Sequence, residues 1–285
     1  MPSRRGVLTA VAAFAGAPRS FASAPTLRYL KAPRDDLFSR YAVDVLDLAL
    51  KKSGLPHRLE AVTHDWMTQG RMELEMARPD AHLNVMWAMT SKAREAALCP
   101  LRVPLDRGLL GWRVPLIRSV DLPSWRPAPT RKELARRSAG QGLQWPDVEI
   151  LRANGFSVET AANTSNLFEM LKAGHVDYFP RSVLEAQDEL LAYGGNQLAI
   201  APELVIRYPT ASYAFLSQNC RLLVSPLTRA LDDLARDGGL VRVFNQYFLD
   251  QLDPLSLPAR HVIPLENPLL PAATPLKQAD FWWRP

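Results

Sequence analysis

The sequence predicts an α/β fold, and three observations carry that prediction. Between residues 27 and 88, short apolar runs alternate with segments of helical periodicity in the order strand, helix, strand, helix, strand. That order is the signature of a parallel sheet with crossover helices. A second cycle of the same kind begins at Trp145, and the chain closes on a proline-rich tail.

The elements follow in order. Residues 27–30 form a short apolar strand. Asp35 and Asp36 can cap the next helix, whose Leu37, Tyr41, Val45 and Leu48 share one face until Gly54 ends it. Residues 57–62 alternate apolar and polar, as a half-buried strand does; 67–76 is helical and 83–88 is the next strand. Residues 109–117 are a long apolar stretch that could pass from one domain to another, and 123–129 hold three prolines and form a loop. Trp145, Pro146 and Asp147 open a helix with proline in its first turn, running to Gly155. Strands at 157–161 and 176–179 alternate with helices at 166–173 and 182–191. A strand at 211–216 precedes a strongly periodic helical segment, 222–248, punctuated by Gly238 and Gly239. Beyond Asp253, prolines at 254, 258, 264, 268, 271, 275 and 285 exclude long helices and central strands. The tail is expected to lie extended over the surface, anchored by Phe281, Trp282 and Trp283.

Composition narrows the class. The chain has 285 residues, the size of two ordinary domains, and 47% hydrophobic with 22% charged residues is a normal globular balance. The net charge of +5 resides largely in the first 24 residues, which hold Arg4, Arg5 and Arg19 and no acid. Without those three, 31 basic side chains face 29 acidic ones, too weak a field for nucleic acid. Residues 1–24 read as an export signal: a positive start, an apolar stretch at 7–17, and small residues around Ala22 and Ala24. The stretch is shorter than the roughly 20 residues a bilayer requires. The run from Ser3 to Leu8 resembles the twin-arginine export motif, with an ordinary Sec signal as the alternative. No later run is long enough to span a membrane, so a soluble mature protein is expected in the periplasm. Cys99 and Cys220 can be read equally as one disulfide or as two separate thiols. The five histidines form no metal-ligand spacing, so neither a metal nor a cofactor is expected.

Four segments together resemble a known family. They are Leu27-Arg28-Tyr29-Leu30, "MTSKAREAALCPLRVPL" (89–105), "EMLKAGHVDYF" (169–179) and "LTRALDDLARDGGLVRVFNQYF" (227–248). In this order the chain is similar to the type 2 periplasmic solute-binding proteins, close to the polar-amino-acid (family 3) branch, over about residues 26–250. The resemblance implies two α/β lobes joined by two crossover strands, near 109–114 and 207–214. The first lobe would comprise 25–110 and a return segment 211–250, the second 111–210, with 251–285 as the tail. Ligand would sit in the cleft between them, at the carboxyl ends of strands.

The same resemblance suggests site residues. In the family an arginine at the position of Arg94 grips a ligand carboxylate, with Thr90 or Ser91 as hydroxyl donors. A guanidinium suits that task because its rigid fork matches a carboxylate. The structural alternative is that Thr90 or Ser91 caps a helix whose solvated face holds Arg94 and Glu95. Gln141 and Gly142, just before the helix at Trp145, would offer backbone donors to an anion. Amino-acid binders carry an acid about five residues beyond the counterpart of Asp177; here Arg181 and Ser182 stand there instead. An arginine from each lobe therefore suggests a small polar or anionic ligand, not a zwitterion. Tyr29, Trp66 and Trp87 are candidate aromatic contacts.

No paired carboxylates and no Gly-x-Ser-x-Gly elbow are present, so the expectation is a non-enzyme. The resemblance implies a monomeric binding protein serving an ABC permease or a membrane sensor. A dehydratase-like enzyme on the same fold, or an accessory protein that no longer binds ligand, are the alternatives.

Overall fold

The computed structural model describes residues 26–31, 36–56, 58–63 and 67–284. The export signal, Asp35 and Trp66 lie outside the described residues.

Two groups of strands organise the chain. In the first, β1 (Thr26–Leu30) runs parallel to β2 (Arg58–Val62), with Leu27 opposite Leu59. Beside them β11 (Ser212–Leu216) pairs antiparallel with β3 (Val85–Met89) and β4 (Cys99–Leu101). Asn84 joins the two pieces: its Oδ1 accepts from Arg28 N at 2.6 Å and its backbone N donates to Arg28 O at 3.0 Å. Five helices cover this group: α1 (Leu37–Ser53), α2 (Gln69–Met76), α3 (Lys92–Ala97), α8 (Val224–Arg236) and α9 (Gly239–Leu252). Asp36 caps α1 by accepting from Ser39 N, and Gly54 ends it in the left-handed region at φ 68°. The buried stripe of α1 is Tyr41, Val45, Leu46, Ala49 and Leu50, rotated from the expected one so that Leu37 and Leu48 are only half buried. The rotation lets Tyr41 sit edge-on to Phe244 and Phe248 of α9.

In the second group, β5 (Trp112–Arg118) pairs antiparallel with β8 (Phe179–Ser182), β9 (Leu198–Ile200) and β10 (Leu204–Arg207). β6 (Ser138–Gly142) and β7 (Ser157–Ala161) run parallel, and Gly140 N reaches Tyr178 O at 2.8 Å to link them to β8. The helices here are α4 (Arg131–Leu134), α5 (Pro146–Ala153), α6 (Thr164–Lys172) and α7 (Ala186–Glu189). The strand expected at 176–179 lies three residues later. Arg181 and Ser182 belong to β8 and not to a helix start, and two polar residues buried in a strand hide its apolar pattern.

The chain passes between the groups twice, at adjacent positions. Leu105 N bonds Ser212 O at 2.9 Å, and Tyr208 N bonds Gly111 O at 3.1 Å. A Cβ on Gly111 would lie 2.1 Å from Tyr208 O, so only glycine allows this approach. Asp106, fully buried, accepts from Ser212 N at 2.8 Å and Leu110 N at 3.0 Å, tying one crossover to the other. Burial pushes its carboxyl up to about 6 against the pull of those donors.

The tail departs from the expectation of a purely extended surface segment. β12 (His261–Pro264) adds to the sheet edge, parallel to β10, with its proline at the end of the strand. The remainder fastens to both groups. Asn154 Nδ2 donates to Glu266 O, Asn267 Nδ2 to Pro209 O, and Lys92 N to Leu269 O. Phe281 is buried, Trp282 covers Gly108, and the Trp283 ring meets Trp112 edge-on at 5.2 Å.

Among the described residues no helix is long and apolar enough to cross a membrane, and no group of His, Cys, Asp and Glu is placed to hold a metal. Cys99 and Cys220 are free thiols.

Candidate functional site

A cleft of ≈ 910 Å³ opens between the two strand groups. One wall comes from the start of α1 (Phe38, Ser39), from α2 (Gln69, Met72) and from Trp87 on β3. The other comes from the starts of α5 and α6, from Arg181 on β8 and from Glu185 to Tyr193. A narrower pocket of ≈ 230 Å³ continues from it between Thr68 and Gly142. The walls touch there: a Cβ on Gly70 would sit 2.8 Å from Gln144 Oε1.

The floor is a charged cluster. Arg113, which follows the first crossover, ion-pairs Asp147 at 2.8 Å, and both side chains are 4% exposed. Tyr208 OH accepts from Arg113 Nε at 2.9 Å and donates to Asp147 Oδ1. Arg181 ion-pairs Glu189 through Nε at 2.5 Å and Nη2 at 2.7 Å, with its guanidinium against the rings of Trp145 and Phe179. Glu185 lies between the two arginines, 3.0 Å from Arg181 Nη2 and 3.8 Å from Arg113 Nη1. Burial opposes charge on both guanidiniums. For Arg113, Asp147, Tyr208 and Glu185 together outweigh it, and for Arg181, Glu185 and Glu189 do, so both stay above the ordinary arginine value. Desolvation raises the Glu189 carboxyl, with Arg181 pulling the other way. Burial likewise raises the Tyr208 phenol, so it remains protonated and able to donate.

The expected site residues divide. Trp87 and Arg181 line the cleft, and Gly142 lines its narrow extension. Tyr29 stands behind the wall, its ring 5.6 Å from that of Trp87. Gln141 is buried; its Nε2 donates to Pro180 O at 3.3 Å, and its Oε1 has no partner among the described residues. Ser182 is buried, its hydroxyl donating to Leu109 O at 3.3 Å.

Arg94, Thr90 and Ser91 are corrected. Arg94 is buried, with Nε and Nη2 on Glu73 Oε1 and Nη1 on Met89 O. Ser91 caps α3 by accepting from Arg94 N, and buried Thr90 donates to Glu95 at 2.7 Å. None of the three lines the cleft, and the arginine is buried and not on a solvated helix face. A guanidinium with three internal bonds has no fork left for a ligand, so the two-arginine clamp is not assembled.

Sequence reasoning missed Arg113, Asp147, Glu185, Glu189 and Tyr208. Two signals were present: an arginine inside the apolar run 109–117, and the four-residue spacing of Arg181, Glu185 and Glu189. Asp177, read as structural, accepts from Ser138 N at 2.7 Å at the base of β6.

No family model and no curated protein matches the chain in sequence. Solved structures do match in fold. The periplasmic VFT2 domain of Bordetella pertussis BvgS superposes with a TM-score of 0.58 at 20% identity, covering 79% of this chain and 94% of that one. An ancestral arginine-binding protein bound to arginine gives 0.56 at 15% identity, covering 78% and 98%. The GluR0 ligand-binding core from Nostoc punctiforme, in complex with L-glutamate, gives 0.52 at 16%, again over 78% and 98%. At these identities the likeness is one of fold. The chain has the α/β, two-lobed type 2 periplasmic-binding-protein fold, also called the Venus flytrap, with two crossover strands.

Proposed function

We propose that the chain is an exported solute-binding protein, serving uptake or sensing, whose lobes close on a small polar molecule. The observation that carries this reading is the ≈ 910 Å³ cleft lined by side chains of both lobes, directly beside the paired crossovers. A ligand shifts the balance between open and closed forms only through contacts it makes better in one of them, and a two-walled cleft supplies such contacts. The leader sequence supports export to the periplasm, and the solved structures similar in fold include proteins holding amino acids. The closed form would then present a surface to an ABC permease or a membrane sensor.

The test is a thermal-shift screen of the mature chain against a library of polar metabolites. A true ligand stabilises by about 2.7 kcal/mol at a hundredfold excess over Kd. A saturable shift without product supports binding. Turnover would favour the dehydratase-like alternative, and silence across the library would refute the reading in favour of an accessory role.

A further inference from the structure

Most charges in the cleft are already spoken for. Arg113 is matched by Asp147 and capped by Tyr208, and Arg181 is held by both oxygens of Glu189. At 4% and 5% exposure, neither guanidinium presents its fork to the cleft. On the opposite wall Asp36 and Arg40 are of opposite sign. Two carboxylates remain. Glu185, 31% exposed, shares Arg181 with Glu189 through a 3.0 Å ion pair, so three carboxylates (Asp147, Glu185 and Glu189) stand against two buried guanidiniums; its buried Oε2 forms no hydrogen bond among the described residues. Among the described residues Asp188 accepts only from the neutral Gln251 Nε2, at 2.9 Å. Among the described residues, five carboxylates against three guanidiniums line the cleft.

We propose that the ligand is a small organic cation, an ammonium or guanidinium without a neighbouring carboxylate, and that Glu185 is its counter-ion. The inference rests on the solute-binding reading and sharpens it. An anion entering this space would meet surplus negative charge and find both arginines occupied. Among the described residues the carboxylate of a zwitterion would find mainly uncharged donors, such as Ser39, Gln69 and the start of α6 at Asn163 and Thr164. A cationic head instead completes the charge balance at Glu185, and Trp87 and Phe38 on the facing wall supply apolar lining for its carbon chain. The acid that the sequence lacks five residues after Asp177 is thus supplied three residues further on, from the turn between β8 and α7.

The experiment is calorimetric titration of the mature chain with pairs that differ by one carboxylate: 1,5-diaminopentane against L-lysine, agmatine against L-arginine, and glutarate as the anion. At least one decarboxylated member should bind roughly tenfold or more tightly than its amino acid, and glutarate should not bind. Glu185→Gln should weaken that cation by roughly tenfold or more, and raised salt should weaken it further. Should this variant fail to fold, Asp188→Asn removes the second surplus charge from the exposed helix turn and should weaken the same cation. An amino acid binding as tightly as its amine, a glutarate complex, or an E185Q protein of unchanged affinity overturns the cation assignment while leaving solute binding intact. No binding by any of these probes, with hits elsewhere in the polar library, overturns it too. Silence in both experiments removes the solute-binding reading itself.

Discussion

Asp147→Ala is the sharpest test of how the cleft floor is held together. The substitution removes the carboxylate 2.8 Å from a guanidinium that is 4% exposed, and takes away the acceptor of the Tyr208 hydroxyl. Removing one partner of a buried ion pair costs about 3–5 kcal/mol, because the survivor is left charged and poorly solvated. Glu185 stands 3.8 Å from the same guanidinium and can take over part of the load, so the lower end, about 3 kcal/mol, is expected. With a urea m-value of about 2–3 kcal/mol/M, the unfolding midpoint should fall by about 1–1.5 M. The double variant Arg113→Met with Asp147→Ala removes both charges and should recover most of the loss, leaving a deficit of about 1 kcal/mol from repacking. A single-variant loss below about 1 kcal/mol, or a double variant no better than the single, would refute the account of a desolvated pair.

Three further outcomes are expected. Arg94→Ala should cost about 2–3 kcal/mol by leaving Glu73 and Met89 O without their donor, yet leave affinity in the cleft unchanged; a lost ligand response in a folded variant would return Arg94 to the site. Asp106 has a native value of about 6, above the roughly 3.9 of an unfolded chain, so the folded state holds the proton more tightly. This group's contribution is therefore greatest below about pH 4 and declines by about 2–3 kcal/mol as pH rises to about 6. Urea unfolding across that window should show the decline in the parent and not in Asp106→Asn. Phe281→Ala should destabilise by about 3 kcal/mol through loss of a buried ring; a change within about 0.5 kcal/mol, measured by the same unfolding curves, would mean the tail is not docked in solution.

How far the sequence reveals this protein depends on what each residue has to do. The strand and helix order is readable because burial imposes its period on apolar side chains, as at Tyr41, Val45 and Ala49. The site is less readable, since charged side chains that pair across elements leave no periodic trace. Asp147 and Tyr208 are 61 residues apart in sequence yet share a hydrogen bond. The segment 89–95 shows the converse. Its Thr90, Ser91 and Arg94 resemble a ligand-binding segment in type and spacing, but here they serve a helix cap and bonds to Glu95 and Glu73. Residue type limits the chemistry that is possible, and three-dimensional partners decide whether any donor is left over for a ligand.

The docked tail has a consequence for motion that its packing alone does not express. Glu266 is fastened to Asn154 in the second lobe and Leu269 to Lys92 in the first, so three residue steps along the chain separate two anchor points on opposite lobes. A fully extended chain spans about 3.3–3.6 Å per residue, so these anchors can part by no more than about 11 Å while both bonds hold. The tail is therefore a tether of fixed length across the hinge. If the lobes open as proposed, it would set an upper stop on their swing, whatever the cleft contains.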